Sequence, residues 1–392
     1  MQRRAISPTL HLLASGIFYS CVPNYAAEGT RLIGTGPIQV STAGAGVAAP
    51  QNSSWLSLNP AGLVGLSDSV DVSTDVIQGR ASLTPNGLLG NNTAGRIEDD
   101  VVVYAPASTV VNKINENDTI ALGFYTVSGL AVGYPSSRSS PGAAGGFDRR
   151  AEQRFITTSA AYARRVTDQL SAALALNLNY VDLRSDSNVA SGAQTSGTFD
   201  MDSALGAGFS LSLFQHFDQV SFGAMYTSRQ WMETLERYRD AFVGTPDQPQ
   251  VFQVGVAWRP VAWFEPLLDY RFIDWSSVKF YGQGLRWRDQ HVVKLAGIAH
   301  VNSDLTIRGG ISYGRSPITE SEVFINGLSP LISEWHTTLG VGWQASPAWD
   351  IQLTYLHAFE NTLTDNGSDG FGNGTHISLE VDAIVAGVGW HY

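Results

Sequence analysis

The sequence predicts an all-β fold, a transmembrane antiparallel β-barrel of about 14 strands with an N-terminal hatch (plug) segment inside the lumen. Three observations support this prediction. Apolar and polar residues alternate with a period of two along much of the chain, short polar turns alternate with long loops, and the last strand ends on an aromatic residue. Together they indicate strands with one face toward lipid and the other toward a packed or polar interior.

The final strand carries the clearest pattern. Its inward face is small or polar, whereas its outward face holds Ile384, Ala386, Val388, Trp390 and Tyr392. Such a strand suits the closing strand of an outer-membrane barrel. The glycine and terminal aromatic residues also match the signal read by the outer-membrane assembly machinery, except that Val385 stands where that signal usually has a polar residue. We therefore expect that machinery to be a partner.

Residues 1–27 have the layout of a secretory signal peptide. A basic start is followed by a short apolar run and by small residues, with cleavage expected near Ala26 or Ala27. Cleavage there removes Cys21, the only cysteine. The expected mature protein can therefore form no disulfide, Cys-based zinc site or thiol nucleophile.

The composition favours a membrane barrel over other classes of protein. Only 15% of the residues are charged, and no apolar stretch of about eighteen residues follows the signal peptide, which argues against a helical membrane protein. The net charge of -11 argues against nucleic acid as a partner. We expect a monomer in the outer membrane of a Gram-negative bacterium, with membrane lipids against its outer face.

Turn chemistry sets the strand count. Short polar turns are predicted at 112–118, 164–169, 216–219, 259–262, 301–304 and 346–348. Longer connections rich in Gly, Ser, Asp and Asn are predicted near 84–98, 131–150, 186–197, 237–249, 276–284, 315–332 and 361–376. Short periplasmic turns and long outer loops describe an outer-membrane barrel with an even number of strands. The alternative is a soluble β-sandwich or propeller.

Residues 28–66 do not alternate and form the predicted hatch, ahead of a barrel over residues 67–392. This segment is rich in Ala and Gly, yet it is too apolar to be disordered, and it turns sharply at Asn59 and Pro60. A compact apolar segment before the first strand can fold inside a barrel and plug it. The alternative is a cap on the periplasmic side.

A short motif at the end of the hatch carries a family resemblance. Residues 59–63, Asn-Pro-Ala-Gly-Leu, follow an Ala/Gly-rich stretch and precede Val-Asp-Val at 70–72. In this setting the motif resembles the hatch motif of the FadL/TodX family of outer-membrane transporters for long-chain fatty acids and other hydrophobic compounds. Further matches occur in the family's order, at 111–125, 128–130, 162–170, 274–276 and 313–317.

The resemblance implies a route for the substrate. Outer loops capture the substrate, an internal pocket holds it, and an opening at a kink in the third strand releases it sideways. Asn59, Pro60 and Ala61 are the implied gating residues of the hatch. Gly129 is our candidate for the kink, because glycine in a strand permits a bulge or bend.

This chain departs from the family's pattern in two places. Val127 and Ser128 stand where Pro-Phe is common, and the loops at 186–197 and 237–249 are shorter than those of the capture groove in fatty acid transporters. The class of compound is therefore open.

Three arginines are candidate contacts for a substrate carboxylate. Strand phase places Arg229, Arg271 and Arg308 on the lumen side, and a guanidinium can pair with a carboxylate through two hydrogen bonds. The alternative is that these arginines pair with acidic residues and only fill the interior, the candidate partners being Asp269, Asp71 and Asp75.

The leading hypothesis is passive transport of long-chain fatty acids or related hydrophobic ligands, with aromatic hydrocarbons or alkanes as the alternative. Catalytic and nucleotide-binding motifs are missing from the sequence, so we expect no enzyme activity, no cofactor and no metal. A lipid-modifying barrel enzyme using His336 or His357 with a serine is a weaker alternative, since His357 is in outward phase. The apolar hatch argues against a general diffusion porin.

Overall fold

The computed structural model describes residues 27–86, 95–134, 149–185, 200–240, 242–370 and 372–392. The predicted signal peptide up to Ala26 lies outside these residues. Within them the chain forms seventeen strands in a single sheet, and most of the remaining structure is loop. Three of the strands are only two residues long: β1 (Ala27–Glu28), β2 (Arg31–Leu32) and β10 (Trp231–Met232).

The other fourteen strands form the barrel wall. The first seven are β3 (Ser69–Thr84), β4 (Ile97–Lys113), β5 (Asp118–Tyr134), β6 (Arg149–Arg165), β7 (Leu170–Ser185), β8 (Asp202–His216) and β9 (Val220–Thr227). The rest are β11 (Val251–Trp258), β12 (Phe264–Ile273), β13 (Gln290–His300), β14 (Leu305–Gly314), β15 (Trp335–Ser346), β16 (Trp349–Thr364) and β17 (His376–His391). The predicted strand number is confirmed.

Closure of the wall leaves no exposed sheet edge between the first and last strands. Strand β17 pairs antiparallel with β3 along its whole length, from His376 opposite Thr84 to His391 opposite Ser69. A membrane offers no water to satisfy unpaired backbone groups, so closure is what makes a spanning sheet stable.

The alternation in the sequence follows the two faces of the wall. Along β16, Ile351, Leu353 and Tyr355 are exposed, whereas the intervening Gln352 and Thr354 are buried. Exposed tryptophans lie near the strand ends on the short-turn side, among them Trp258, Trp263, Trp343, Trp349 and Trp390. This arrangement is typical of an interfacial aromatic girdle around a lipid-facing band.

The connections also follow the predicted pattern. Every second connection is short, as at 114–117, 166–169, 217–219 and 301–304. The others are long, and two of them contain helical turns, a 3-10 helix at Glu236–Tyr238 and a π-helix at Lys279–Gly284. None of the helices in the described part of the chain is both long enough and apolar enough to cross a membrane.

Residues 27–66, called the N-terminal segment below, lie against the inward face of the wall. The segment contains helix α1 (Gly36–Ser41) and two 3-10 helices (Ser53–Leu56 and Pro60–Gly65). Helix α1 contacts β14 to β17 and β3, while the second 3-10 helix contacts β5 to β8 on the other side of the barrel. Because the segment contacts both sides, it lies in the lumen that the wall encloses.

Polar groups and glycines on the wall allow this close approach. The hydroxyl of Thr338 donates to the Ser41 carbonyl at 2.8 Å, and that of Thr354 donates to the Pro37 carbonyl at 2.8 Å. A Cβ atom at Gly223 would lie 2.1 Å from the Val47 carbonyl oxygen, so no larger residue fits there without moving the segment.

Replacing Gly223 with Ala is expected to lower the free energy of unfolding of the purified barrel by about 1–3 kcal/mol, because the new methyl group overlaps the segment backbone. The unfolding midpoint is expected to fall with it. The measurement is the unfolding midpoint in detergent. Gly309→Ala is the matched control, since the atom nearest to its Cβ is at an ordinary 3.5 Å. Equal midpoints for the two variants would contradict the close contact.

Deleting Tyr392 is expected to slow assembly in the outer membrane. Its hydroxyl donates to Asn112 at 2.6 Å and its ring lies 4.9 Å from that of Trp390, so it fixes the end of the closing strand. The measurement is the fraction of protein with heat-modifiable gel migration. Tyr392→Phe keeps the ring and is the control, and normal migration of the deletion variant would refute the expectation.

Candidate functional site

The third barrel strand, β5, is irregular near its middle. Thr126 pairs with Ile156 on β6 and Ser128 pairs with Phe155, so Val127 has no partner on that strand. One extra residue on one side of a ladder is a β-bulge, which bends the strand. The irregularity therefore lies at Val127, and the prediction of Gly129 was wrong by two residues, because Gly129 pairs regularly with Arg154. A bulge can form without glycine.

The wall opens between β4 and β5 at the level of the bulge. In the described part of these strands, pairing is confined to Ala107 through Lys113 opposite Thr119 through Tyr125. Beyond that point, β4 stays with β3 and β5 stays with β6. The first residue past the paired part is Pro106, which has no N–H to donate.

Among the residues that the structure describes, side-chain hydrogen bonds rather than a backbone ladder join the two strands across this gap. The Gly133 N–H donates to the Asp99 carboxylate at 2.7 Å near the outer end, and the Thr126 hydroxyl lies 3.4 Å from the Pro106 carbonyl oxygen. Both involve single side chains rather than a ladder. The two strands can therefore separate at a much smaller cost than any fully paired strands of the wall.

Strand β2 of the N-terminal segment covers part of the unpaired edge of β5. Arg31 pairs with Ser128, and the Gly129 N–H donates to the Thr30 carbonyl at 2.9 Å. The edge next to the bulge is thus satisfied from inside the barrel. Any movement of β2 would expose it.

An apolar pocket lies on the outer side of this region. It has a volume of about 120 Å³ and is formed by the outer ends of strands and by long loops. Most of its lining is apolar, including Leu83, Leu130, Leu183, Phe242, Phe280 and Leu328. Apolar concave sites of this kind bind hydrophobic molecules.

A smaller cavity of about 70 Å³ lies further in, between the N-terminal segment and the wall. Val127 lines it, so it adjoins the bulge. An aromatic cluster lies at the outer pocket, which Tyr281 and Trp287 line, with the rings of Trp275 and Trp287 4.9 Å apart and Tyr281 packed on both. Gly29 fits beneath these rings, since a Cβ atom there would lie 2.6 Å from Trp275.

Buried charges join the start of the segment to the wall. The Glu28 carboxylate is 2.7 Å from Arg271 on β12 and also pairs with Lys294 on β13. Burial alone would raise the pKa of Glu28, but the charges of Arg271 and Lys294 outweigh it and lower this pKa to about 2. Glu28 is therefore ionised, and it holds β1 against two adjacent strands.

Two of the three predicted arginines face the lumen, with different partners from those proposed. Arg271 is held by Glu28 and Gln253, and Arg308 donates to Gln51 and Gln352. Neither forms an ion pair with the aspartates named as alternatives, as far as the described residues extend.

The candidate aspartates bind the N-terminal segment instead. Asp269 accepts the N–H groups of Gly46 and Val47, both at 3.0 Å. Asp71 accepts from the side chain of Asn52 and from the backbone of Ser53. Both carboxylates therefore hold the segment in the lumen.

Arg229 does not belong with the lumen-facing arginines. Strand β9 ends at Thr227, so the strand phase used for the prediction stops before this residue. Arg229 is half-buried and donates to the carbonyl and the hydroxyl of Ser277, in the loop after β12. The prediction that Arg229 faces the lumen was therefore wrong.

The Asn-Pro-Ala motif anchors the segment to β8. The side chain of Asn59 caps the 3-10 helix that begins at Pro60, accepting from the Ala61 N–H at 3.2 Å. Its amide also donates to the carbonyls of Val47 and Leu213, at 2.7 and 3.0 Å. The motif is thus a rigid corner, and its role in substrate transfer stays a prediction.

The two histidines lie on opposite faces. His336 is buried in the lumen with Nδ1 3.2 Å from the Ser312 hydroxyl, and no carboxylate among the described residues hydrogen-bonds to it. His357 faces outward beside Asp382, as predicted. Without an orienting acid, His336 is a poor general base for a serine, whereas His357 has such an acid but lies on the outward face.

Glu28, Arg31 and Lys294 were missed by the sequence analysis. Glu28 and Arg31 precede any recognisable element, and their inward direction is set by tertiary contacts. Lys294 follows Val292 and Val293, so apolar residues fall on both faces of this part of β13 and hide its phase. The available signal in the sequence was one charged residue, Lys294, in an otherwise apolar strand.

Comparison with known proteins agrees with this architecture. A family model described as outer membrane protein transport protein (OMPP1/FadL/TodX) matches residues 27–392. No curated protein sequence matches the chain. The toluene transporter TodX of Pseudomonas putida is similar in structure, with 16% identity, a TM-score of 0.74, and coverage of 93% of this chain and 100% of that chain.

Two further solved structures share the fold. A FadL homologue of Pseudomonas aeruginosa has 13% identity and a TM-score of 0.71, over 93% of this chain and 99% of that chain. The toluene transporter TbuX of Ralstonia pickettii has 16% identity and a TM-score of 0.67, over 92% and 99%. The resemblance found in the sequence is confirmed by the family match, and the chain belongs to the OMPP1/FadL/TodX family of outer membrane transport proteins, which carry hydrophobic compounds.

Proposed function

We propose that this barrel passively transports long-chain fatty acids or related hydrophobic molecules, which leave it sideways between β4 and β5. The observation that carries the proposal is the loss of pairing between these strands beyond Tyr125, next to the bulge at Val127. The apolar outer pocket supports a route that begins at the long loops and leads inward past the aromatic cluster.

A sideways exit suits an apolar substrate energetically. Moving through water costs about 25 cal/mol for each Å² of apolar surface that becomes exposed. An exit into the membrane avoids this cost, because the substrate passes from an apolar pocket to lipid. A water-filled pore would not provide that path, and a barrel filled by the N-terminal segment has little room for one.

The N-terminal segment acts in this proposal as both plug and gate. It contacts both sides of the lumen, which supports the plug. Its strand β2 covers the unpaired edge of β5 through Arg31 and Thr30, which supports the gate. The corner at Asn59, Pro60 and Ala61 fixes the rest of the segment to β8 while β2 moves.

Aromatic hydrocarbons or alkanes are the second candidate class of ligand. Two of the similar structures are described as toluene transporters, and the outer pocket is small, at about 120 Å³. A lipid-modifying enzyme has less support, because His336 has no orienting carboxylate among the described residues and His357, which pairs with Asp382, faces outward.

Deleting Val127 is expected to abolish most uptake of radiolabelled oleate by cells that lack their own transporter. The bulge is one extra residue in β5, so its removal restores regular pairing of β5 with β6. The side chains before and after the deletion keep their inward or outward directions. Toluene is assayed beside oleate to distinguish the two classes of ligand.

Val127→Ala keeps the extra residue and is the control, with uptake expected near the wild-type rate. Wild-type uptake by the deletion variant would rule out the sideways route. If the wild-type protein restored uptake of neither compound, the choice of substrate would be wrong although the fold remains.

Deleting residues 28–66 is expected to convert a closed barrel into a leaky one, because the segment occupies the lumen. The measurements are single-channel conductance in planar bilayers and entry of small hydrophilic solutes into cells. The full-length protein is the reference. Unchanged conductance would contradict the plug.

A further inference from the structure

Arg31 is half-buried, and part of its guanidinium is buried without a partner. It belongs to the N-terminal segment and lines the inner cavity. Its Nη1 atom is inaccessible to solvent and has no hydrogen-bond partner, and no carboxylate in the described part of the chain forms an ion pair with it. A buried charge is costly unless it is paired, so a structure that keeps one has room for a missing partner.

The nearby acidic groups are already engaged. Glu28, whose charge acts on Arg31, is shared by Arg271 and Lys294. Asp269 accepts two backbone N–H groups of the segment. Three cations therefore surround one ionised carboxylate, which leaves an excess of positive charge beside the inner cavity.

Arg31 keeps its charge in this setting. Burial, together with the nearby charge of Arg271, lowers its pKa to about 10. The guanidinium is therefore protonated at neutral pH, and only an anion can neutralise it.

The cavity beside Arg31 has the size and polarity of a headgroup site. Its volume of about 70 Å³ gives room for a few waters at about 10–15 Å³ each, or for a carboxylate, but not for a long hydrocarbon chain. Thr157, Asn177 and Gln230 add polar groups to its wall. These neutral groups can complete the hydrogen bonds of a bound carboxylate.

The apolar pocket begins at the neighbouring residue. Thr30 lines the outer pocket, whereas Arg31 lines the inner cavity. A molecule with a polar head and an apolar tail can therefore place its head at Arg31 and its tail among the aliphatic and aromatic side chains outside. A neutral hydrocarbon would leave the guanidinium unpaired.

We infer that Arg31 binds the carboxylate of an amphipathic substrate, so that the protein selects hydrophobic acids over neutral hydrocarbons of the same length. This inference rests on the proposed transport of hydrophobic molecules and names their headgroup. The planar guanidinium forms two parallel hydrogen bonds to the carboxylate, and the ion pair replaces the missing partner.

The test compares oleate with oleyl alcohol, which has the same chain and a neutral head. Dissociation constants are measured for the purified full-length protein in a non-ionic detergent. The wild-type protein is expected to bind oleate more tightly. Arg31→Gln is expected to weaken oleate binding by about tenfold or more and to leave oleyl alcohol unchanged.

Two further variants separate charge from shape. Arg31→Lys keeps the charge but loses the planar fork, so it is expected to retain part of the preference for oleate. Arg165→Gln removes an exposed arginine at a short turn and is expected to bind both ligands like the wild-type protein.

Thermal unfolding gives a readout independent of affinity. Without ligand, Arg31→Gln is expected to unfold at the same or a higher temperature than the wild-type protein, because it removes an unpaired buried charge. Saturating oleate is expected to raise the midpoint of the wild-type protein more than that of the variant.

Each contrary outcome has a distinct meaning. Wild-type oleate affinity in Arg31→Gln would overturn the headgroup site and leave the proposed transport standing. Equal weakening of oleate and oleyl alcohol, with a lower unfolding temperature, would show a structural role for Arg31 and overturn the inference. A wild-type protein that binds neither ligand would overturn the inference and the proposed function together.

Discussion

Backbone hydrogen bonding in a medium without water is the constraint on which this structure depends. Fourteen strands satisfy it by closing on themselves, with β17 against β3. The gap between β4 and β5 is the place where the wall does not satisfy it alone. There the N-terminal segment provides part of the missing pairing, through the carbonyl of Thr30 and the pairing of Arg31 with Ser128. The occupied lumen thus contributes to the stability of the break in the ladder.

The inner face of the wall is polar, and its polar side chains bind the backbone of the N-terminal segment. Carboxylates on the wall bind backbone N–H groups of the segment, as Asp269 does with Gly46 and Val47. Wall hydroxyls bind its carbonyls, as Thr338 does with Ser41. The inward-facing polar residues that would line a water-filled pore in another barrel are used here to hold protein. The apolar outer pocket accordingly lies at the outer end, where loops supply Phe242 and Phe280.

The sequence predicts the wall far better than it predicts the site. Alternation marks strands such as β16 because lipid and lumen impose opposite demands on successive residues. The bulge at Val127 has no such signal, since it depends on how β5 meets two neighbours. The partner of Arg271 is Glu28, 243 residues away, and no local pattern connects them. Arg229 was misplaced because phase can be counted only as far as a strand continues, and β9 ends at Thr227.

The contact between the segment and the closing strand bears on how the barrel reaches its final circumference. A Cβ atom at Gly387 of β17 would lie 2.9 Å from the ring of Pro37 in helix α1. Helix α1 therefore limits how far β17 can lie toward the lumen where it pairs with β3. The bulk of the N-terminal segment thus sets a lower limit to the width of the closed barrel.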